Sequence, residues 1–117
     1  MFPTRAARAN GDWKRVVATG ASSQATVMAM PPGSEIGAEI HADYDQIVQV
    51  VEGHGVVTVD CAREAVAPGD SVFIRGGQRH NVRNTDDTTL RLVVYYAPAK
   101  FAEGTVFAVK PDGHHAH

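Results

Sequence analysis

The chain reads as an all-β, single-domain protein, and three observations carry that expectation. Turn signals recur at short intervals: Pro31-Pro32-Gly33, Gly53-His54-Gly55, Asp60-Cys61-Ala62-Arg63, Pro68-Gly69-Asp70, Gly76-Gly77, Asn84-Thr85-Asp86-Asp87 and Pro98. Between them lie short runs rich in β-branched residues, at 15–18, 25–29, 46–51, 56–59, 72–74 and 90–96. No segment carries apolar residues at helical spacing over a helix's length, and residues 5–8 are expected to add no more than an inconsequential helical turn. Many short strands punctuated by turns predict a sandwich or barrel.

Taken in order, the runs alternate as strands must, since successive side chains point to opposite faces. Glu39 and His41 share a face, with Ile36, Ala38 and Ile40 expected on the other. Gln46, Val48 and Val50 point one way; Ile47, Gln49 and Val51 point the other. His80, Val82 and Asn84 share a face opposite Asn81 and Arg83. Leu90, Leu92, Val94 and Tyr96 alternate with Thr89, Arg91, Val93 and Tyr95. Inner faces that mix one polar anchor with apolar neighbours suit a small barrel with a site in its mouth.

With 117 residues there is room for one core, and an apolar fraction of 44% is ordinary for a globular protein. The net charge of -2, with Lys and Arg scattered, offers no basic stripe for nucleic acid. No apolar run approaches the roughly 20 residues that cross a bilayer. Residues 1–12 lack the apolar core of a secretory leader, so none is expected. A single cysteine, Cys61, precludes an internal disulfide and is consistent with a cytoplasmic location. No phosphate loop, Ser-His-Asp set or dinucleotide fingerprint is present.

The pair Glu39 and His41 carries the chemistry. A charged side chain set inside an apolar sheet is unfavourable unless something pairs with it, and a divalent cation is the simplest partner. A second imidazole, His80, follows in the stretch Arg79-His80-Asn81-Val82-Arg83-Asn84.

In this order the residues resemble the cupins. The first cupin motif has a glycine, two metal-binding positions two apart, a third a few residues on and a closing glycine, here Gly33, Glu39, His41, Gln46 and Gly53. The second motif is matched by Gly69-Asp70, His80 and Asn84. The resemblance covers residues 13–110. Pro-Pro-Gly, Glu-x-His, Asp-Gln, Tyr96-Ala97-Pro98 and Gly104-Thr105-Val106 narrow it to small single-domain bacterial cupins. It implies a jelly-roll-like β-barrel at 13–110, flanked by an N-terminal arm at 1–12 and a tail at 111–117. The chain departs from the general pattern at Glu39 (a histidine position), at Gln46 (a glutamate position) and at the turn Arg75-Gly76-Gly77, where proline is common. Both ligand swaps occur in the narrower group. Phe101 and Phe107 stand where related chains often carry histidines.

The resemblance implies a divalent metal held by Glu39, His41, Gln46 and His80. Two imidazoles, one carboxylate and a neutral amide oxygen favour iron or manganese, with nickel and zinc still open. The expected function is metal-dependent chemistry on a small oxygenated metabolite, of dioxygenase, isomerase or lyase type, with Asp45 or a water moving protons. The competing expectation is a non-catalytic module that captures a small ligand through the metal. A hydrogen-bonded polar core without metal is the alternative for the same four residues. Tyr95 or Tyr96 could offer a hydroxyl to the cavity, and Arg75 a rim contact for an anion. His54 and Cys61 read as exposed turn residues, and His114, His115 and His117 as a tail. A homodimer is expected, because Ile47, Val51 and Val93 read as apolar residues on an outer face and open sheet edges invite pairing.

Overall fold

The computed structural model describes residues 1–111. These form one helix and ten strands: α1 (Pro3–Ala9), β1 (Lys14–Thr19), β2 (Gln24–Met30), β3 (Glu39–Ile40), β4 (Asp45–Glu52), β5 (Gly55–Val59), β6 (Ala62–Val66), β7 (Ser71–Ile74), β8 (Arg79–Asn84), β9 (Leu90–Ala97) and β10 (Val106–Phe107). A six-stranded sheet in the order β10-β1-β2-β9-β4-β7 faces a four-stranded sheet in the order β3-β8-β5-β6, and every pairing is antiparallel. This is the jelly-roll barrel that the resemblance implies, and it is the all-β architecture the turn spacing predicts. The core lies between the sheets, where Met28, Met30, Val48, Val50, Leu90, Leu92 and Val94 of the large sheet meet Val57, Val66 and Val82 of the small one. Among the described residues no helix is long and apolar enough to cross a membrane.

All six β-branched runs became strands. Strand β6 was not foreseen, because Ala62-Arg63-Glu64-Ala65 has weak strand preference and four exposed positions. Its partner and its turn make it a strand: Val59 pairs with Ala62 across the two-residue loop Asp60-Cys61, and Asp60 takes a φ of 52°. At β3 the expected alternation fails. Ile36 is buried in the core while Ile40 is 56% exposed, because Gly37 at φ 106° breaks the run and only Glu39–Ile40 remains a strand.

The N-terminal helix also departs from expectation. Proline in its first turn starts α1, whose fixed φ suits that position. Ala7 is fully buried against Val27, Val51 and Val93 on the outer face of the large sheet. Arg91, on β9, donates from Nη1 to the carbonyls of Ala7 and Asn10 at the helix C-terminus and pairs with Glu52 at 3.3 Å. The short helix is therefore a cover for an apolar face, and Val51 and Val93 are not exposed as their alternation suggested.

Candidate metal and anion site

Three segments bring polar side chains into one end of the barrel. Strands β3 and β8 pair so that Glu39 lies directly opposite His80, which places their side chains on the same face. Strand β4 adds Gln46, in register with Ile74 on one side and Tyr96 on the other. His80 and Gln46 are both buried, and Gln46 Nε2 lies 3.1 Å from His80 Nε2. His80 Nδ1 lies 3.0 Å from the Gln78 carbonyl. A carbonyl only accepts, so Nδ1 is the donor of that pair, and Nε2 is the ring nitrogen that meets the Gln46 amide.

His41 sits on the segment after β3, with its ring centroid 5.5 Å from that of His80 and stacked on Tyr44 at 4.9 Å. The turn between β7 and β8 fixes that segment. Gly77 N–H donates to the His41 carbonyl at 2.8 Å, and Gly76 N–H donates to Asp45 Oδ1 at 2.8 Å. A β-carbon on Gly76 would lie 2.9 Å from the Ala42 carbonyl oxygen and 3.3 Å from that of Tyr44, so the Gly-Gly turn admits the close approach. Asp45 follows the alternation of β4: its neighbour Gln46 points in, while its own carboxylate is exposed and bonded to that turn.

The donor set suits a divalent ion in kind: two imidazoles, a carboxylate and an amide. Among the described residues no group of three or more His, Cys, Asp or Glu gathers closely enough to hold a metal, and the immediate neighbour of His80 is the Gln46 amide.

Beyond His41 the interior continues as a chain of rings. Tyr44 meets the edge of Tyr96 at 5.4 Å, Tyr96 meets Phe101 at 5.6 Å, and Phe101 meets Phe107 at 5.8 Å. Two lysines sit among them. Lys14, 1% exposed, donates from Nζ to the Tyr96 hydroxyl and lies 5.1 and 5.2 Å from the Tyr96 and Phe101 ring centroids. Lys100 Nζ lies 5.2, 5.8 and 5.0 Å from the Tyr44, Tyr96 and Phe101 centroids, buried and with no hydrogen-bond partner among the described residues. Loss of hydration holds the Lys14 ammonium well below its ordinary pKa, with repulsion from Lys100 adding to it. Burial lowers Lys100 to about 8, against an opposing attraction from Glu39. Burial raises the phenols of Tyr44 and Tyr96, helped at Tyr44 by the charges of Glu39 and Asp43 and at Tyr96 by Tyr44.

Gln24 ties the segment carrying Lys100 to the large sheet. Its Oε1 accepts from Lys100 N–H at 3.1 Å and Phe101 N–H at 3.0 Å, and its Nε2 donates to the Phe101 carbonyl at 2.8 Å. Sequence reading missed Lys14, Lys100, Tyr44 and Gln24. The available signal was a strand that starts at Lys14, one residue before the β-branched run, with inward burial at Lys14 and Val16.

Tyr96 is the tyrosine that points inward, while Tyr95 packs toward the α1 side. Arg75 lies over the Phe73 ring at 5.9 Å. His54 is exposed, 3.2 Å from Asp86, and Cys61 is exposed at its hairpin tip. Asn84 of the second motif holds a turn, donating to the carbonyls of Met30 and Thr88 and accepting from Asp86 N–H. The tail histidines His114, His115 and His117 lie outside the described residues.

Comparison with known proteins agrees with this architecture. A family model described as Cupin domain matches residues 26–96. Protein YrkC of Bacillus subtilis is 32% identical over 114 residues, a match covering 92% of this chain and 61% of that protein, so the chain spans less than two thirds of this relative. The crystal structure of BH2720 from Bacillus halodurans superposes with a TM-score of 0.91 at 34% identity, covering 94% of this chain and 88% of the other. An oxalate-binding protein of Thermotoga maritima is 30% identical over 66 residues, covering 56% of this chain and 54% of that protein.

Proposed function

The chain belongs to the cupin family, whose members often bind divalent metals, and from that premise we propose that Glu39, His41, Gln46 and His80 hold a divalent ion that engages a small oxygenated metabolite. The observation that carries the reading is the His80 ring. Its Nδ1 donates to the Gln78 carbonyl, which turns Nε2 to the buried Gln46 amide at 3.1 Å, with Glu39 opposite across the strand pair. Orientation of a ligand imidazole through its other nitrogen is how proteins prepare such a ring for a metal. Bound there, iron or manganese would supply Lewis acidity and open coordination positions.

The residues divide the work. His80 and His41 would supply imidazoles, Glu39 the one carboxylate, and Gln46 an amide oxygen after its side chain turns over, with the His and Glu side chains, which do not gather closely enough on their own, drawn together around the ion. Asp45, expected from the sequence to move protons, acts from the outer face through Gly76 and is read here as a positioning residue for the His41 segment. Two functional outcomes share this site: turnover of the metabolite, or its capture, as the name of the Thermotoga maritima relative states for oxalate. The inner wall offers phenols held protonated and two lysines as partners for either.

Metal analysis of protein lacking residues 112–117 tests the proposal. We expect close to one equivalent of divalent metal per chain, and a loss of most of it in His80→Ala. Undiminished metal in that variant would falsify the ligand set. Product analysis with small keto acids, hydroxy acids and sugars then separates turnover from capture.

A further inference from the structure

We propose that Lys14 and Lys100 form a subsite for the carboxylate of a small organic acid, set one aromatic ring away from the metal-binding residues. The proposal names the substrate class of the site described above and rests on that reading for its neighbour, the ion.

Two lysine amines are enclosed in one end of a barrel, both against the same two rings: Lys14 Nζ lies 5.1 and 5.2 Å, and Lys100 Nζ 5.8 and 5.0 Å, from the Tyr96 and Phe101 centroids. Burial of a charge without a partner is strongly unfavourable. The partners available here are the Tyr96 hydroxyl for Lys14 and the faces of Tyr44, Tyr96 and Phe101, and the buried Lys100 Nζ donates to none of the described residues. One carboxylate, Glu39, attracts Lys100, and the metal reading already assigns its charge to the ion. An entering anion would supply the missing counter-charge.

The backbone that carries Lys100 is also held in this arrangement. The buried Gln24 side chain holds the backbone at Lys100 and Phe101 in place, accepting from both N–H groups and donating to the Phe101 carbonyl. The ring walls favour an organic acid over an inorganic anion, because its carbon skeleton gains contact with Tyr44, Tyr96 and Phe101. Tyr44 is stacked on His41 at 4.9 Å and lies 5.2 Å from Lys100 Nζ, so one ring touches both groups. A carboxylate on the lysines therefore leaves the rest of a small acid directed at the imidazoles.

The test is calorimetric titration of the full chain with malonate after chelator treatment, so that no metal takes part. We expect millimolar binding by the unaltered protein, at least tenfold weaker binding by Lys100→Met, and retention within threefold by Lys100→Arg. Lys14→Met should weaken binding to a similar degree. Malonamide, the neutral counterpart, should not bind, and inorganic phosphate should bind at least tenfold more weakly than malonate. Malonate affinity unchanged in Lys100→Met, absence of malonate binding by the unaltered protein, or equal binding of malonamide or phosphate would each overturn the proposal. Failure of the protein to take up metal would remove the metal reading and leave these metal-free titrations as they stand.

Discussion

At Lys14 the ammonium is 1% exposed, with a second ammonium nearby and one phenol hydroxyl as its hydrogen-bond partner. Methionine has similar length and no charge, so Lys14→Met removes a desolvation penalty while leaving the Tyr96 hydroxyl short of a partner, a loss of about 1 kcal/mol. We expect the variant to be more stable than the parent by about 1–2 kcal/mol at pH 7 in chloride buffer, a net gain of the size seen when buried charges are replaced. The pH dependence has a fixed sign. In the unfolded chain Lys14 keeps its proton up to about pH 10.4; in the folded chain it gives it up earlier, because burial lowers its pKa. Between those limits the unfolded state binds more protons, so stability rises with pH. The parent should close the gap on Lys14→Met as pH climbs from 7 towards 10, a trend urea unfolding would show. A constant gap would mean that Lys14 is not strained by its burial. A buried lysine whose removal raises stability would belong with function and not with packing.

The Arg75-Gly76-Gly77 turn links two elements that the sequence leaves apart, the end of β7 and the segment carrying His41. Gly76→Ala would push a methyl to 2.9 Å from the Ala42 carbonyl oxygen, which must yield and take His41 with it. We expect about a tenfold loss of metal affinity, the scale of disturbed supporting contacts, with the fold retained by circular dichroism. Wild-type affinity in this variant would show that the turn does not set the position of His41. The same turn separates two roles for Asp45. Asparagine keeps an oxygen for Gly76 N–H, so Asp45→Asn should retain metal and any turnover, whereas Asp45→Ala should lose both; loss of turnover alone in Asp45→Asn would restore the proton-transfer role. Elements of this kind explain what the sequence could and could not disclose. Strands with their own apolar alternation, such as β4 and β9, were legible from period two alone. Strand β6 was not, because it is fixed by its hairpin and partner, and the strand expected around Glu39 is present as β3 but cut short after the positive φ of Gly37.

For the molecule as a whole, the two-sheet barrel followed from turn spacing, and the placement of His80 beside Gln46 followed from motif order. The lysine half of the interior did not, since Lys14 and Lys100 are 86 positions apart and come together at Tyr96 and Phe101. A pattern read locally carries no information on which distant residues the barrel closes together. The outer surface shows the same limit: α1 covers Val51 and Val93, which leaves Ile47 as the exposed member of the expected apolar set. Phe73, 57% exposed on the edge strand β7, joins it beside a groove of about 400 Å³ that Tyr95 also lines. Pairing through this face would cover both the apolar side chains and the open edge of the large sheet, and it underlies our last prediction. Light scattering at low micromolar concentration should give about twice the 12.5 kDa chain mass, and Phe73→Asp should return it to the monomer value. A monomer mass for the unaltered chain would remove the homodimer, and a dimer that survives Phe73→Asp would move its interface away from β7.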